Sequence, residues 1–185
     1  TDRIVEIALR DKLPFVLFGE GGGGRPGDVD FPNVSGFQTS SFASFAQLSG
    51  EVPVVGIVSG RCFAGNAAFI GCCDVIIADK SSNIGLAGPA MIEGGGLGIF
   101  TPEEVGPAPV QYANGVIDVL VENEAEATAV AKQYLSFFQG KTQTWTAPNP
   151  LALRKVVPEN RLRAYDSRAA IHGVADVGSV LMLRE

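Results

Sequence analysis

The feature that most constrains this chain is a repeated unit, a short run of apolar and β-branched residues that ends in a glycine turn. Phe15-Val-Leu-Phe18 runs into Gly21 to Gly24, residues 53–58 (Pro-Val-Val-Gly-Ile-Val) into Ser59-Gly60, and residues 74–78 and 83–86 into Gly88-Pro89. Runs of this length bounded by glycine read as buried strands. Between them lie helical patterns. Residues 2–13 carry apolar side chains at Ile4, Val5, Ala8 and Leu9 before Pro14, and Phe42, Phe45 and Ala46 share a face that stops at Gly50. Residues 64–72 predict a helix of small residues. Alternating strands and helices make the chain α/β.

Further along, Thr101-Pro-Glu-Glu104 places a hydroxyl at an N-cap, proline at the first helical position and glutamate three residues after the cap, which predicts a short helix. A strand is predicted at 116–121. Residues 124–138 then predict the clearest helix, with Ala127, Val130, Ala131, Tyr134, Leu135 and Phe138 on one face and Gly140 as its stop. Beyond it the composition turns to Thr, Pro and Asn around Trp145. We read residues 1–140 as one domain, 141–162 as a linker arm, and 163–185 as the start of a connection, with a helix at 166–172 and a strand at 179–183.

Composition narrows the class of function. Hydrophobic residues make up 46% of the 185 positions and the formal net charge is −6, so the chain is built to fold and offers no basic cluster for nucleic acid. No apolar run approaches the ~20 residues that span a bilayer. Cys62, Cys72 and Cys73 are odd in number and two are adjacent, which points away from a disulfide framework or a Cys-x-x-Cys metal site and toward a reducing, cytoplasmic setting.

Three segments can carry chemistry. Glu20-Gly-Gly-Gly-Gly-Arg25 offers unobstructed backbone N–H groups and a cation, although it lacks the Gly-Lys-Ser/Thr ending of a phosphate loop and reads equally as a flexible turn. Ser59 to Ala67 runs from a strand through glycine into a helix whose first free N–H groups, at Gly65 and Asn66, can hold a developing oxyanion; close helix packing is the competing use of such small residues. Glu93-Gly-Gly-Gly-Leu-Gly98, after Gly88-Pro89, is a ligand-facing loop or an ordinary one. The single histidine, His172, stands far from all three, and no Ser-His or Cys-His pair is evident. Glu20, Asp28 and Asp30 serve either as acids and bases or as loop solvation. The residues alone describe an α/β protein that binds its substrate with backbone amides.

Phe18-Gly-Glu-Gly-Gly-Gly-Gly-Arg25, residues 54–67, Gly88-Pro89, Thr101-Pro-Glu-Glu-Val-Gly106 and the late stretches 163–168 and 174–179 occur in an order that resembles the acyl-CoA carboxylase carboxyltransferases. The resemblance implies a crotonase-like (ClpP/crotonase) ββα superhelix, here a single incomplete domain equivalent to the first of the family's two halves. It implies transfer of a carboxyl group from carboxybiotin, carried on a biotin carboxyl carrier protein and charged by biotin carboxylase, to the α-carbon of an acyl-CoA, in an acyl-CoA carboxylase of the acetyl-CoA or propionyl-CoA type. It further implies a homo-oligomer in which the acyl-CoA lies against an opposing C-terminal half. By position, Gly65 and Asn66 correspond to the backbone oxyanion hole, with Asn where the family commonly has a second glycine, so that a side chain intrudes there. Ala64, Gly23, Gly24, Arg25, Gly88 and Pro89 correspond to the substrate-binding surroundings, and no metal is implied in this segment. A hydratase or decarboxylase of the same fold would want a carboxylate on the 64–74 helix, which has none before Asp74, and a Clp-like peptidase would want a serine near Asn66. A non-catalytic CoA-binding subunit is the alternative of another class.

Overall fold

The computed structural model describes residues 1–21 and 40–184. Its main sheet consists of four parallel strands in the order β1 (Phe15–Phe18), β2 (Val54–Val58), β4 (Val75–Asp79) and β6 (Val119–Val121). A second, two-stranded parallel sheet pairs β3 (Arg61–Phe63) with β5 (Asn83–Gly85). The chain visits the main sheet, then the second sheet, then a helix: β2, β3 and α3 (Gly65–Ile70), followed by β4, β5 and α4 (Pro89–Gly94). Gly21 adds a parallel bridge to Cys62, so the exit of β1 extends the second sheet by one position. This is the ββα winding of a crotonase-like fold.

Both faces of the central strands β2 and β4 are covered, which is why these two read as continuous apolar runs, whereas the edge strand β1 leaves Val16 and Phe18 exposed. Val55, Ile57, Val75, Ile77 and Val121 pack on one face against Ala127 and Ala131 of α6 (Glu124–Ser136). On the other face, Val54 meets Val5 and Ala8 of α1 (Asp2–Asp11) and Phe45 of α2 (Ser40–Ala46), while Val58, Ile76 and Ala78 meet Ala67 and Ile70 of α3 and Ala108 of α5 (Ala108–Ala113). Ile70 explains a glycine inside β2. A Cβ on Gly56 would lie 2.9 Å from Ile70 Cδ1 and 3.1 Å from Cys73 Sγ, so the small residue lets α3 sit down on the sheet.

Local signals account for most boundaries. α1 stops where Lys12 turns left-handed (φ 52°) ahead of Pro14. The glutamate after Thr101 does close a capping box, with the Thr101 N–H donating to Glu104 Oε2 at 2.7 Å, but the element it starts is a 3-10 turn, Pro102–Glu104. Helix α6 begins at Asn123, whose side chain accepts from the Glu126 N–H at 3.0 Å.

Other expectations are corrected. Helices α4 and α5 and the three-residue strand β3 fall where loops or turns were expected. Residues 179–184 form no strand, because no neighbouring strand offers a ladder among the described residues; there Arg184 donates its backbone N–H to the Asp118 carbonyl at 2.8 Å and its Nε to the Asp118 carboxylate at 2.7 Å. Residues 139–182 form a separate compact unit that contains a 3-10 turn (Pro150–Lys155) and α7 (Arg168–Val174), packed by the fit of Leu153 against Gly173. Among the described residues no helix is long and apolar enough to cross a membrane.

Candidate active site

The site is built around Ala64. This residue holds φ 54° and ψ −124°, a conformation that side chains rarely adopt, and so bends the chain sharply between β3 and α3. The bend is fixed from both sides: the Ala64 N–H donates to the Gly85 carbonyl on β5 at 3.1 Å, and the Ala64 carbonyl accepts from the Ala68 N–H at 3.1 Å. Gly65 and Asn66 are the first two residues of the helix, so their N–H groups have no acceptor within it. Neither has an acceptor elsewhere among the described residues. Two adjacent, half-buried donors on a rigid bend can hold a negatively charged oxygen.

The second sheet brings the remaining parts to this bend. Gly85, which anchors Ala64, lies in β5 and leads to Gly88, the N-cap of α4, with Pro89 at the first helical position. A Cβ on Gly88 would lie 3.7 to 3.8 Å from the Phe63 side chain, placing this glycine beside the residue before Ala64. A Cβ on Gly65 would come within 3.2 Å of Phe42 Cζ, and Phe42 is itself stacked on Phe69 of α3 at 4.7 Å. The aromatic ring thus closes one side of the bend.

The exit of β1 closes another. The Gly21 N–H donates to the Arg61 carbonyl at 2.7 Å and the Gly21 carbonyl accepts from the Phe63 N–H at 3.0 Å. The Asn66 side chain reaches the same exit, where its Nδ2 donates to the Glu20 carbonyl at 3.0 Å. The Glu20 carboxylate lies over Gly60, and a Cβ there would be 3.7 Å from Glu20 Cδ. Cys62 is buried beneath, and burial first, then the Glu20 charge, push its thiol up to about 12. It is therefore an inert packing group rather than a nucleophile.

A polar network supports the turn at Ser59-Gly60. Buried Asp79 accepts from the hydroxyls of Ser59 at 2.5 Å, Ser81 at 2.6 Å and Ser82 at 3.1 Å, and from the Ser81 N–H at 2.8 Å. Burial raises the Asp79 pKa, but these donors together outweigh it and hold the carboxyl below its ordinary value. Ser82 also donates to the Val58 carbonyl at 2.8 Å. Farther out, Arg61 pairs with Glu103, and Asn83 Nδ2 donates to the Glu103 and Val105 carbonyls at 3.1 Å each, lacing residues 103–105 to both short strands.

The structure therefore gathers Ala64, Gly65, Asn66, Gly88 and Pro89 around one corner. Gly23, Gly24 and Arg25, together with Asp28 and Asp30, lie outside the described residues. The reading from sequence missed Gly85 and Phe42 as supports, and Gly106, whose carbonyl accepts from the Ile84 N–H at 2.8 Å beside Gly85. Gly106 had a signal in its motif, whereas Gly85 and Phe42 act only through the pairing of β3 with β5 and the stacking on α3.

The carboxyl transferase domain pattern matches residues 1–183. The chain is 31% identical over 189 residues to the methylmalonyl-CoA carboxyltransferase 12S subunit of Propionibacterium freudenreichii subsp. shermanii, covering 97% of this chain and 36% of that protein. Its backbone superimposes with a TM-score of 0.92 and 57% identity on a structure described as a single-chain, multi-domain long-chain acyl-CoA carboxylase, covering 99% of this chain and 18% of that one. A transcarboxylase 12S structure with methylmalonyl-coenzyme A and methylmalonic acid bound matches at 27% identity and a TM-score of 0.79, over 99% of this chain and 37% of that one. The chain spans about a third of the length of the curated relatives it matches. With a parallel α/β sheet, a bend at Ala64 flanked by glycine, and a family pattern that runs over residues 1–183, this chain belongs to the carboxyl transferase domain family.

Proposed function

We propose that this chain supplies the acyl-CoA-binding corner of a biotin-dependent acyl-CoA carboxylase, with the Gly65 and Asn66 N–H groups as the oxyanion hole for the thioester enolate. The observation that carries the reading is the bend at Ala64, which leaves two adjacent backbone donors without an acceptor among the described residues. Carboxybiotin, on a carrier protein charged by biotin carboxylase, would release its carboxyl group as carbon dioxide for capture by the substrate, and the biotin so freed would accept the α-proton. The chain's own part is to stabilise the thioester oxygen as charge gathers on it, and neutral N–H donors at 2.7–3.1 Å from that position are suited to this task. Ala64, Gly88 and Pro89 shape the approach to the bend, and the resemblance to the family assigns Gly23, Gly24 and Arg25 to the same substrate-binding surroundings. The relatives described as hexameric support a homo-oligomer in which an opposing half faces this corner. Three unpaired cysteines favour a cytoplasmic, reducing setting.

The substrate class we favour is a long-chain acyl-CoA. Leu86, Met91, Leu97, Ile99 and Phe100 are all exposed on and around α4, directly after Gly85 and flanking Gly88. An apolar stretch at the rim of the corner suits a long acyl tail better than a propionyl group. The test is carboxyl transfer from carboxybiotin by the complete polypeptide to acyl-CoAs of graded length. Transfer that improves with chain length is expected; no transfer to any acyl-CoA refutes the function, and a preference for acetyl- or propionyl-CoA refutes the substrate class.

A further inference from the structure

The Asn66 side chain makes a contact that an oxyanion hole built from backbone N–H groups does not need. Its amide reaches back across the second sheet to the Glu20 carbonyl, one residue before Gly21. Gly21 is already held by two backbone bonds to β3, through the Arg61 carbonyl and the Phe63 N–H. The Asn66 amide therefore adds a hold from α3, and the root of the glycine run is tied to both elements that flank the bend at Ala64. The fit is close. Gly21 holds φ 139°, and a Cβ there would lie 2.4 Å from Asn66 Nδ2, so the amide occupies the space that any other residue at position 21 would fill.

We infer that Asn66 is a positioning residue: its side-chain amide pins the Glu20–Gly21 root of the glycine run to the bend, setting where that run departs from β1 relative to the Gly65 and Asn66 N–H groups. Its effect on turnover rests on the carboxyltransferase reading; the clamp itself does not. The two candidate roles of this residue separate cleanly, because substitution removes the side chain and leaves the backbone N–H in place. Glycine deletes the clamp. Aspartate is nearly isosteric, but its ionised carboxylate cannot donate and would set negative charge against the Glu20 carbonyl.

The experiment compares Asn66→Gly and Asn66→Asp in the complete polypeptide by steady-state carboxyl transfer, deuterium uptake over residues 18–21 and 61–63, and thermal unfolding. Loss of a neutral hydrogen bond that holds the Glu20–Gly21 root predicts a fall in kcat of about tenfold for glycine and a larger one for aspartate. KM for the acyl-CoA should change by less than about threefold, because the clamp touches protein and not CoA. Uptake at Gly21 should rise while the melting temperature stays within about 2 °C. Unchanged uptake at Gly21 in both variants overturns the clamp, as does a loss of kcat accompanied by a general loss of stability. Wild-type kcat in both variants overturns its role in turnover. If the unsubstituted protein transfers no carboxyl group, the carboxyltransferase reading fails, and the uptake measurement still decides whether the clamp exists.

Discussion

Replacing Gly106 with alanine is the sharpest test of how the corner is supported. Gly106 holds φ 56°, and a Cβ there would lie 1.9 Å from the Ile84 carbonyl oxygen, 2.8 Å from its carbon and 2.9 Å from Gln111 Nε2. The first distance is about 1.5 Å short of ordinary contact, and the obstacle is backbone, so no side chain can swing aside to relieve it. Moving residue 106 away from β5 would break both the bond from the Ile84 N–H to the Gly106 carbonyl (2.8 Å) and that from Gln111 Nε2 to the Ile84 carbonyl (2.6 Å). Two lost hydrogen bonds at about 1 kcal/mol each and about 1–2 kcal/mol for a left-handed alanine give a cost of about 3–4 kcal/mol. Gly115→Ala provides the comparison, since Gly115 also has a positive φ (77°) but nothing within 4 Å, and should cost only the conformational part, about 1–2 kcal/mol. Gly94→Ala, at the end of α4 in open space with no positive φ, should be neutral or slightly stabilising. At about 2–4 °C per kcal/mol for a unit of this size, Gly106→Ala should lower the unfolding temperature by roughly 10 °C. Scanning fluorimetry of the complete polypeptide, with pulsed deuterium labelling over residues 82–107 to locate the transition, measures it. Equal shifts for Gly106→Ala and Gly115→Ala would refute the argument, because the clash would then contribute nothing. The displacement also reaches the site, since Ile84 precedes Gly85, the acceptor that holds Ala64 in its bend.

Two further outcomes are expected. Asp79 has a folded pKa held below its ordinary value of 3.8, so its contribution is present above that value and lost as pH falls through the lower folded value; Asp79→Asn should destabilise at pH 7 by about 1–3 kcal/mol, and the difference from the unsubstituted protein should shrink in acid titration below about pH 4. A constant difference down to pH 2 would exclude the carboxylate as its source. Cysteine alkylation of the native protein at pH 8 should modify exposed Cys72 and spare Cys62 and Cys73, whose thiols burial pushes up to about 12. Peptide mapping that finds Cys62 labelled first would contradict its full burial.

Much of the main sheet was written locally. β2 and β4 are legible because a strand buried on both faces must be apolar throughout, β1 because its four residues are all apolar although Val16 and Phe18 stay exposed at the sheet edge, and α6 because Ala127 and Ala131 repeat at helical spacing against the sheet. The location of the corner was legible too, since a strand, a glycine turn and a run of small residues announce a helix start wherever they fall. Tertiary structure decided the rest. Residues 61–63 are too few to signal a strand and become β3 only because β5 lies alongside to complete the ladder. Conversely, residues 179–183 have the composition of a strand and remain irregular for want of a neighbour. Asn66 marks the same divide within the site. Its place at the head of α3 follows from the adjacent residues, whereas the direction of its side chain depends on the Glu20 carbonyl just past β1, 46 residues earlier, and only the folded sheet brings that carbonyl within reach.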